Sequence, residues 1–259
     1  MIHAILKDRP TRLYLVLAGF FIANAIIAEI IGVKIFSLED TLGLEKANFK
    51  LLGTENLSFN LSVGVLPWPI IFVMTDIVNE YYGVKGVRFL TLMTTALICF
   101  AFIIFYFAIK ASPDNGFWLG SYSKEGVPDM QAAYRAIFGQ GMNIIVGSLT
   151  AFILGQLIDA FVFRKIKKFT GERAIWARAT MSTVVSQFID SIVVTYIAFT
   201  LFRGYPIGQT MAWALTAYAY KFVVALAFTP LVYLLHGLAE NYLGKDKAAE
   251  MKRNAMRGY

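Results

Sequence analysis

Six ionisable side chains stand in stretches of sequence that are otherwise apolar: Glu29, Asp76, Glu80, Asp159, Asp190 and Lys221. A charge at the centre of a membrane-spanning helix costs about 2.5–3.5 kcal/mol on insertion scales. Such groups pair with one another, neutralise, or line a wet cavity. Their polar neighbours recur at helical spacing. Asp76, Asn79 and Glu80 are at i, i+3 and i+4, so one helix face carries all three. Gln156 and Asp159 share a face by the same rule, as do Gln187 and Asp190. The phrase Gln-x-Ile-Asp thus occurs twice, and on antiparallel helices it would mark a weak inverted repeat. The pattern predicts a ligand pocket at membrane depth, with Asp76 and Asp190 as its chief hydrogen-bonding groups and Lys221 as their counter-charge.

Plainer roles compete for most of these residues. Glu80 reads as a solvated carboxylate at a helix end. Glu29 has Lys34 within reach, Asp159 has Arg164 and Lys165, and Asp190 with Lys221 could form a structural pair. Asp76 has no such neighbour. Asn24 suits a helix–helix hydrogen bond as well as a ligand contact. Trp68, Tyr196 and Tyr218 are candidate platforms for a planar ligand, whereas Trp118, Trp176 and Tyr205 suit membrane interfaces. No catalytic residue, metal or cofactor is expected. The one cysteine, Cys99, lies in an apolar run, and the two histidines, His3 and His236, are near the ends. That is too few ligands for zinc or haem, and no nucleophile and base pair lies at membrane depth.

The elements holding these groups must be membrane helices. Of 259 residues, 58% are hydrophobic and 16% charged, and the mean hydropathy is +0.60. Ordinary soluble domains are about 45–50% apolar and about 25% charged. The composition excludes a disordered chain, a collagen and a disulfide scaffold. It predicts an all-α polytopic membrane protein with six transmembrane helices, over residues 13–36, 61–82, 87–109, 142–163, 176–202 and 210–235. A cytoplasmic N-terminal arm (1–12) precedes this membrane domain (13–242), and a charged cytoplasmic tail (243–259), expected to fray, follows it. The apolar run after the arm is too long for a signal-peptide core and reads as a retained first span. Within the long loop 112–141, residues 129–138 read as a short surface helix.

The net charge of +7 would suggest nucleic acid in a soluble protein, but here the basic residues sit between apolar runs. Topology and anionic lipid explain them better, so lipid and not nucleic acid is the expected surface partner. With the N-terminus inside, sixteen Lys and Arg fall on the cytoplasmic side and seven outside, which favours two cytoplasmic termini and an even number of spans. Pro67 and Pro69 disturb the start of the second span just ahead of Asp76, and Pro230 should kink the sixth. Irregular backbone at such depth is tolerated only against protein or water, and it often marks a binding site.

The run Pro67-Trp-Pro-Ile-Ile-Phe-Val-Met-Thr-Asp76-Ile-Val-Asn79-Glu80-Tyr-Tyr-Gly83 resembles the signature of the queuosine precursor transporter family, also called the vitamin uptake transporter family. Gly155-Gln-Leu-Ile-Asp159-Ala-Phe-Val-Phe163, Ser182-Thr-Val-Val-Ser-Gln187-Phe-Ile-Asp190-Ser and Tyr220-Lys221-Phe-Val-Val, ending at Pro230, extend the similarity in the family's order. It covers about residues 61–235, and the outer loops of this chain are longer than in compact members. The resemblance implies six helices in a bacterial inner membrane and uptake of a 7-deazaguanine base, preQ0 or preQ1, for queuosine salvage. The chemistry fits. A guanine-type edge offers N–H groups that a carboxylate accepts in pairs, and a carbonyl that suits Asn, Gln or Lys. Its flat ring suits an aromatic platform. Asn79, Gln156 and Gln187 would orient the base, and Asp159 would help from the inner half. The rival reading is the substrate-binding membrane subunit of a vitamin importer driven by a separate ATPase, since the chain has no Gly-x-x-x-x-Gly-Lys-Ser/Thr loop of its own. Energy source and preferred base stay open at this level, as does assembly into a homodimer.

Overall fold

The computed structural model describes residues 8–139, 142–170 and 175–257. Helix α1 (Arg9–Ile31) starts where the sequence supplies a start signal: Asp8 accepts the Thr11 N–H at 3.0 Å, and Pro10 occupies the first turn, where no N–H is needed. The helix therefore begins four residues before the expected span. After α1 the chain forms β1 (Ile35–Ser37), the short α2 (Leu38–Leu42), β2 (Phe49–Leu51), β3 (Thr54–Leu57) and β4 (Asn60–Ser62). Strand β1 pairs antiparallel with β4, and β2 with β3. These strands occupy what the sequence presents as a polar outer loop. The pairing of β1 with β4 brings the end of α1 beside residues 63–65, and Ser62 Oγ donates to Gly32 O at 2.7 Å.

Helix α3 (Trp68–Lys110) joins the second and third expected spans without a loop. Pro67 and Pro69 do not break it. They sit at its first turn, and a 3-10 turn precedes them. The interruption comes at Gly83, whose φ of 70° and ψ of −177° lie in a region open essentially to glycine alone. The bend is sharp. A Cβ on Gly86 would lie 3.5 Å from a Val78 methyl, although eight residues of straight helix rise about 12 Å. Tyr14 of α1 seals the inside of the bend, donating to Gly86 O at 3.0 Å and meeting the Tyr82 ring edge-on.

The surface helix expected in the loop after α3 is present as α4 (Met130–Phe138), capped by Asp129. Helix α5 (Met142–Thr170) and helix α6 (Ile175–Thr195, continued as a π-helical turn, Tyr196–Leu201) pack most extensively against each other. Gly147, Ala151 and Gly155 form a small-residue stripe on α5. It lets the backbone at Val194 come to 3.2 Å of where a Gly147 Cβ would lie. In lipid, association rests on such close packing and on polar contacts, because the surrounding tails are as apolar as the side chains.

The sixth expected span is divided. Helix α7 (Ile207–Ala227) ends at Phe228, and α8 (Thr229–Leu243) restarts with Pro230 in its first turn. The tail does not fray. It forms α9 (Lys245–Arg257), whose Ala248, Met251 and Ala255 are buried, with the Ala255 backbone against the bend at Gly83. Lys252 of α9 is bonded to Glu240 of α8 and lies over the Tyr81 ring. The alternation of small and charged residues in this segment is thus an amphipathic pattern with a docking face. Among the described residues, five helices are long and apolar enough to cross a membrane, counting 63–110 as one.

Candidate transport site

Helices α3, α6, α7 and α8 enclose a cleft of about 490 Å³, part of it open at the mouth. Trp68, Phe72 and Asp76 come from α3, Thr180, Thr183 and Gln187 from α6, Tyr220 and Lys221 from α7, and Phe228 and Val232 from the α7–α8 junction. Each contribution follows from helical spacing. Positions 68, 72 and 76 recur at i+4, as do 183 and 187, so each helix turns one stripe to the cleft. The walls are mostly apolar with a few convergent polar groups, the composition typical of small-molecule sites.

Of the expected site residues, Asp76, Gln187, Lys221 and Trp68 line this cleft. Asp76 is buried, and its Oδ1 has no hydrogen-bond partner among the described residues; the same holds for Gln187 Nε2. Lys221 Nζ meets Asp190 Oδ2 at 2.6 Å, so Asp190 stands behind the lysine and not on the wall. Asn79 of α3 turns toward α5, and Gln156 and Asp159, which lie on α5, turn toward α3 and α6. Thr75 Oγ1 donates to Gln156 Oε1 at 2.7 Å, and Asn79 Nδ2 donates to Ala160 O at 3.0 Å. Asp159 Oδ1 accepts from Ser186 at 3.2 Å and weakly from Thr183 at 3.5 Å. These three residues join helices and do not line the cleft. Asn24 is not on the cleft either, since its amide donates to Phe20 O of its own helix. Tyr196 and Tyr218 also lie off the wall, and Tyr218 stacks edge-on with Phe188.

The plainer pairings expected for the acids are mostly replaced. Glu80 is not solvated. It is fully buried, 2.7 Å from Arg178 Nη2 and 3.0 Å from Lys167 Nζ. Glu29 accepts from Ser148 on α5 at 2.9 Å, where Lys34 was the expected partner. Asp159 meets hydroxyls where Arg164 or Lys165 was expected. His236 is not a terminal residue in effect, being buried beside the Tyr81 ring. Trp176 lies outside the residues whose side chains are described. Sequence reasoning passed over Arg178, counted as a loop cation, along with Ser182, Ser186, Thr183 and Tyr220. A signal existed: 178, 182 and 186 form a polar stripe at i+4 on α6, and 183 and 187 form a second.

The arrangement offers a carboxylate acceptor, an amide donor, a cation and two flat rings around one enclosed space. Among the described residues, no group of three His, Cys, Asp or Glu could hold a metal ion.

Residues 62–235 match the family described as "Putative vitamin uptake transporter". The chain belongs to this family. Among its relatives, a Bacillus subtilis (strain 168) protein named "Probable queuosine precursor transporter" is 30% identical over 203 residues, covering 75% of this chain and 80% of the relative. The Escherichia coli (strain K12) "Queuosine precursor transporter" is 26% identical over 224 residues, covering 85% and 91%. A Haemophilus influenzae relative with the same name as the first is 27% identical over 197 residues, covering 75% and 74%. No solved structure matches this chain. Family membership together with five long apolar helices makes this a multi-pass inner-membrane protein. The cleft and the Glu80 cluster both fall within the matched segment.

Proposed function

We propose that this chain imports a queuosine precursor, a 7-deazaguanine base such as preQ0 or preQ1, by alternating access around the cleft at Asp76. The relatives' names supply the cargo class. The observation that carries the site is a buried carboxylate oxygen on the cleft wall with no internal partner, Asp76 Oδ1, facing the same space as the unpartnered Gln187 Nε2. A guanine-type edge answers both: its N1–H and amine donate to Asp76, and its carbonyl accepts from Gln187. Trp68 and Tyr220 supply ring faces. Lys221, held by Asp190, adds a cation to the same cleft wall.

In this reading the two arms of α3 cross the bilayer separately, which gives six spans with both termini in the cytoplasm. The arm before Gly83, taken from Val63, has 20 residues, and at 1.5 Å per residue it spans about 30 Å, the thickness of the hydrocarbon core. Lys85 and Arg88 then lie at the inner surface with α9, in agreement with the positive-inside bias.

The test is uptake of labelled preQ1 in cells lacking their own carrier. Asp76→Asn removes charge-assisted hydrogen bonds, each about 1.5–3 kcal/mol. Affinity should fall roughly ten- to a hundredfold at about 1.4 kcal/mol per factor of ten. Asp190→Asn should weaken uptake less, through Lys221. Normal transport by both variants would remove the site assignment.

A further inference from the structure

The gap between α3 and α5 holds a pair of acids, of which Asp76 also lines the cleft and Asp159 does not. Thr75–Gln156 and Asn79–Ala160 are hydrogen bonds one helical turn apart, and Asp76 and Asp159 sit between these two ties. Both aspartates are buried, at 2% and 0% exposure. Asp76 Oδ1 and Asp159 Oδ2 each have no hydrogen-bond partner among the described residues. Nearby cations are already engaged. Arg178 and Lys167 hold Glu80, one turn below Asp76 on the same helix, and Lys221 holds Asp190 across the cleft. His236 lies beyond Tyr81 on the inner side. From α6, the hydroxyls of Ser182, Ser186 and Thr183 reach Asp159. Three cations therefore face four carboxylates in a region with little water, and two neighbouring carboxylates without a cation of their own cannot both ionise cheaply.

We propose that Asp76 and Asp159 share one proton, and that this proton couples import of the cargo to the proton gradient. The inference rests on the cargo reading given above. In the outward-open carrier the proton resides on Asp76. Cargo N–H groups need an ionised acceptor, so on binding the Asp76 O–H bond breaks and an O–H bond forms at Asp159 Oδ2. After the carrier opens inward, cargo leaves and the proton passes from Asp159 to cytoplasmic water; the doubly ionised pair that remains is the costly state of the cycle, and Asp76 regains a proton from outside as the carrier returns. Each cycle moves one base and one proton. A metal cation such as sodium is less suited to the gap, because the remaining unsatisfied group there, Gln156 Nε2, is a donor.

The experiment uses the purified full chain in liposomes with labelled preQ0, which lacks the aminomethyl group of preQ1 and so cannot carry a proton on an amine. Counterflow without any gradient reads the cargo assignment. An inside-alkaline pH gradient, a sodium gradient and a trapped pH-sensitive dye read the coupling. The expected result is counterflow, at least fivefold faster initial uptake under the pH gradient, no response to sodium, and preQ0-dependent acidification of the lumen. Asp159→Asn, checked for an unchanged melting temperature, should lose the gradient acceleration and the acidification together. Counterflow that ignores the pH gradient, or that follows sodium, overturns this inference alone, as does a folded Asp159→Asn protein that still acidifies the lumen. Absence of counterflow in the unaltered protein overturns the cargo assignment and this inference with it. Should Asp159→Asn not fold, the arms with unaltered protein decide.

Discussion

Glu80 and Arg178 show how far the local surroundings of a residue govern its role. Both were open to reading as ordinary ends of helices near water, and both are wholly buried in one ion cluster with Lys167. Removing one partner from a buried pair strands the other charge and costs about 3–5 kcal/mol. Arg178→Met should therefore lower the melting temperature in detergent markedly, while the exposed pair Lys50–Glu55 can be cut with little effect. Thermal unfolding followed by tryptophan fluorescence separates the two. What a single residue type cannot announce is its third-dimension neighbour. Asp76 was legible because nothing near it in sequence could neutralise it. Arg178 was not, because its partner is 98 positions away. Asp8 is a case where chemistry and position agree. Hydrogen bonds from the Thr11 hydroxyl and N–H hold its carboxyl below the ordinary 3.8. A lowered folded-state value means that the cap stabilises α1 above that ordinary range and is lost as pH falls through the lowered value. Protection of the Thr11 amide against exchange, taken relative to the free-peptide rate at each pH, should hold at pH 5–7 and fall in acid, and Asp8→Ala should lower it over the whole pH 5–7 range.

At the scale of elements, apolar length and charge placement carried most of the information. The helices over 9–31, 68–110, 142–170 and 207–227 overlap their expected spans closely, because a run of about 20 apolar residues has few other stable forms in lipid. Two kinds of detail were not legible. The β1–β4 and β2–β3 pairs have strands of three or four residues, too short for period-two alternation to register. The α9 helix is polar overall, and only its contact with α3 reveals a buried face. Gly83 carries an element-level prediction. Gly83→Ala meets a conformation costing about 1–3 kcal/mol for any other residue. Its Cβ would also come to 3.0 Å of the Ala255 backbone oxygen. Gly53→Ala shares the positive φ but has open space around it, so it should lose less stability in the same melting assay. On α5, Gly155→Ala would meet only ordinary contacts with Asp190 at 3.6 Å and should fold, whereas Gly155→Leu should wedge α5 from α6 and abolish uptake.

Across the whole molecule, the cleft and the ion cluster lie at different depths. The cleft uses α3, α6, α7 and α8, and beneath it Glu80, Arg178 and Lys167 tie α3 to α6 and α5. Helix α9 packs against the bend at Gly83. Truncation after Leu243 removes its three buried apolar residues and the Lys252–Glu240 contact, and should lower the melting temperature while leaving the cleft residues in place. The location of the cleft was legible from Asp76, Gln187, Lys221 and Trp68. Its exact wall was not, because whether Asp159 or Tyr220 faces it depends on helix rotation about the bundle, and an i, i+4 stripe fixes a face without saying which neighbour it meets.

The junction at Gly83 bears on how the chain is made. Only a few residues around Gly83, among them Lys85 and Arg88, separate two apolar arms, too short a stretch to hold a loop at the ribosome side while the first arm settles among lipids. On the six-span reading proposed above, the pair enters the bilayer together, as a hairpin. Because α1 anchors the chain by itself, protection and not extraction is the readout: with synthesis stalled once residue 83 has left the ribosome the 63–82 arm should stay open to added protease, and with the nascent chain lengthened until residue 110 has emerged both arms should become protected at once.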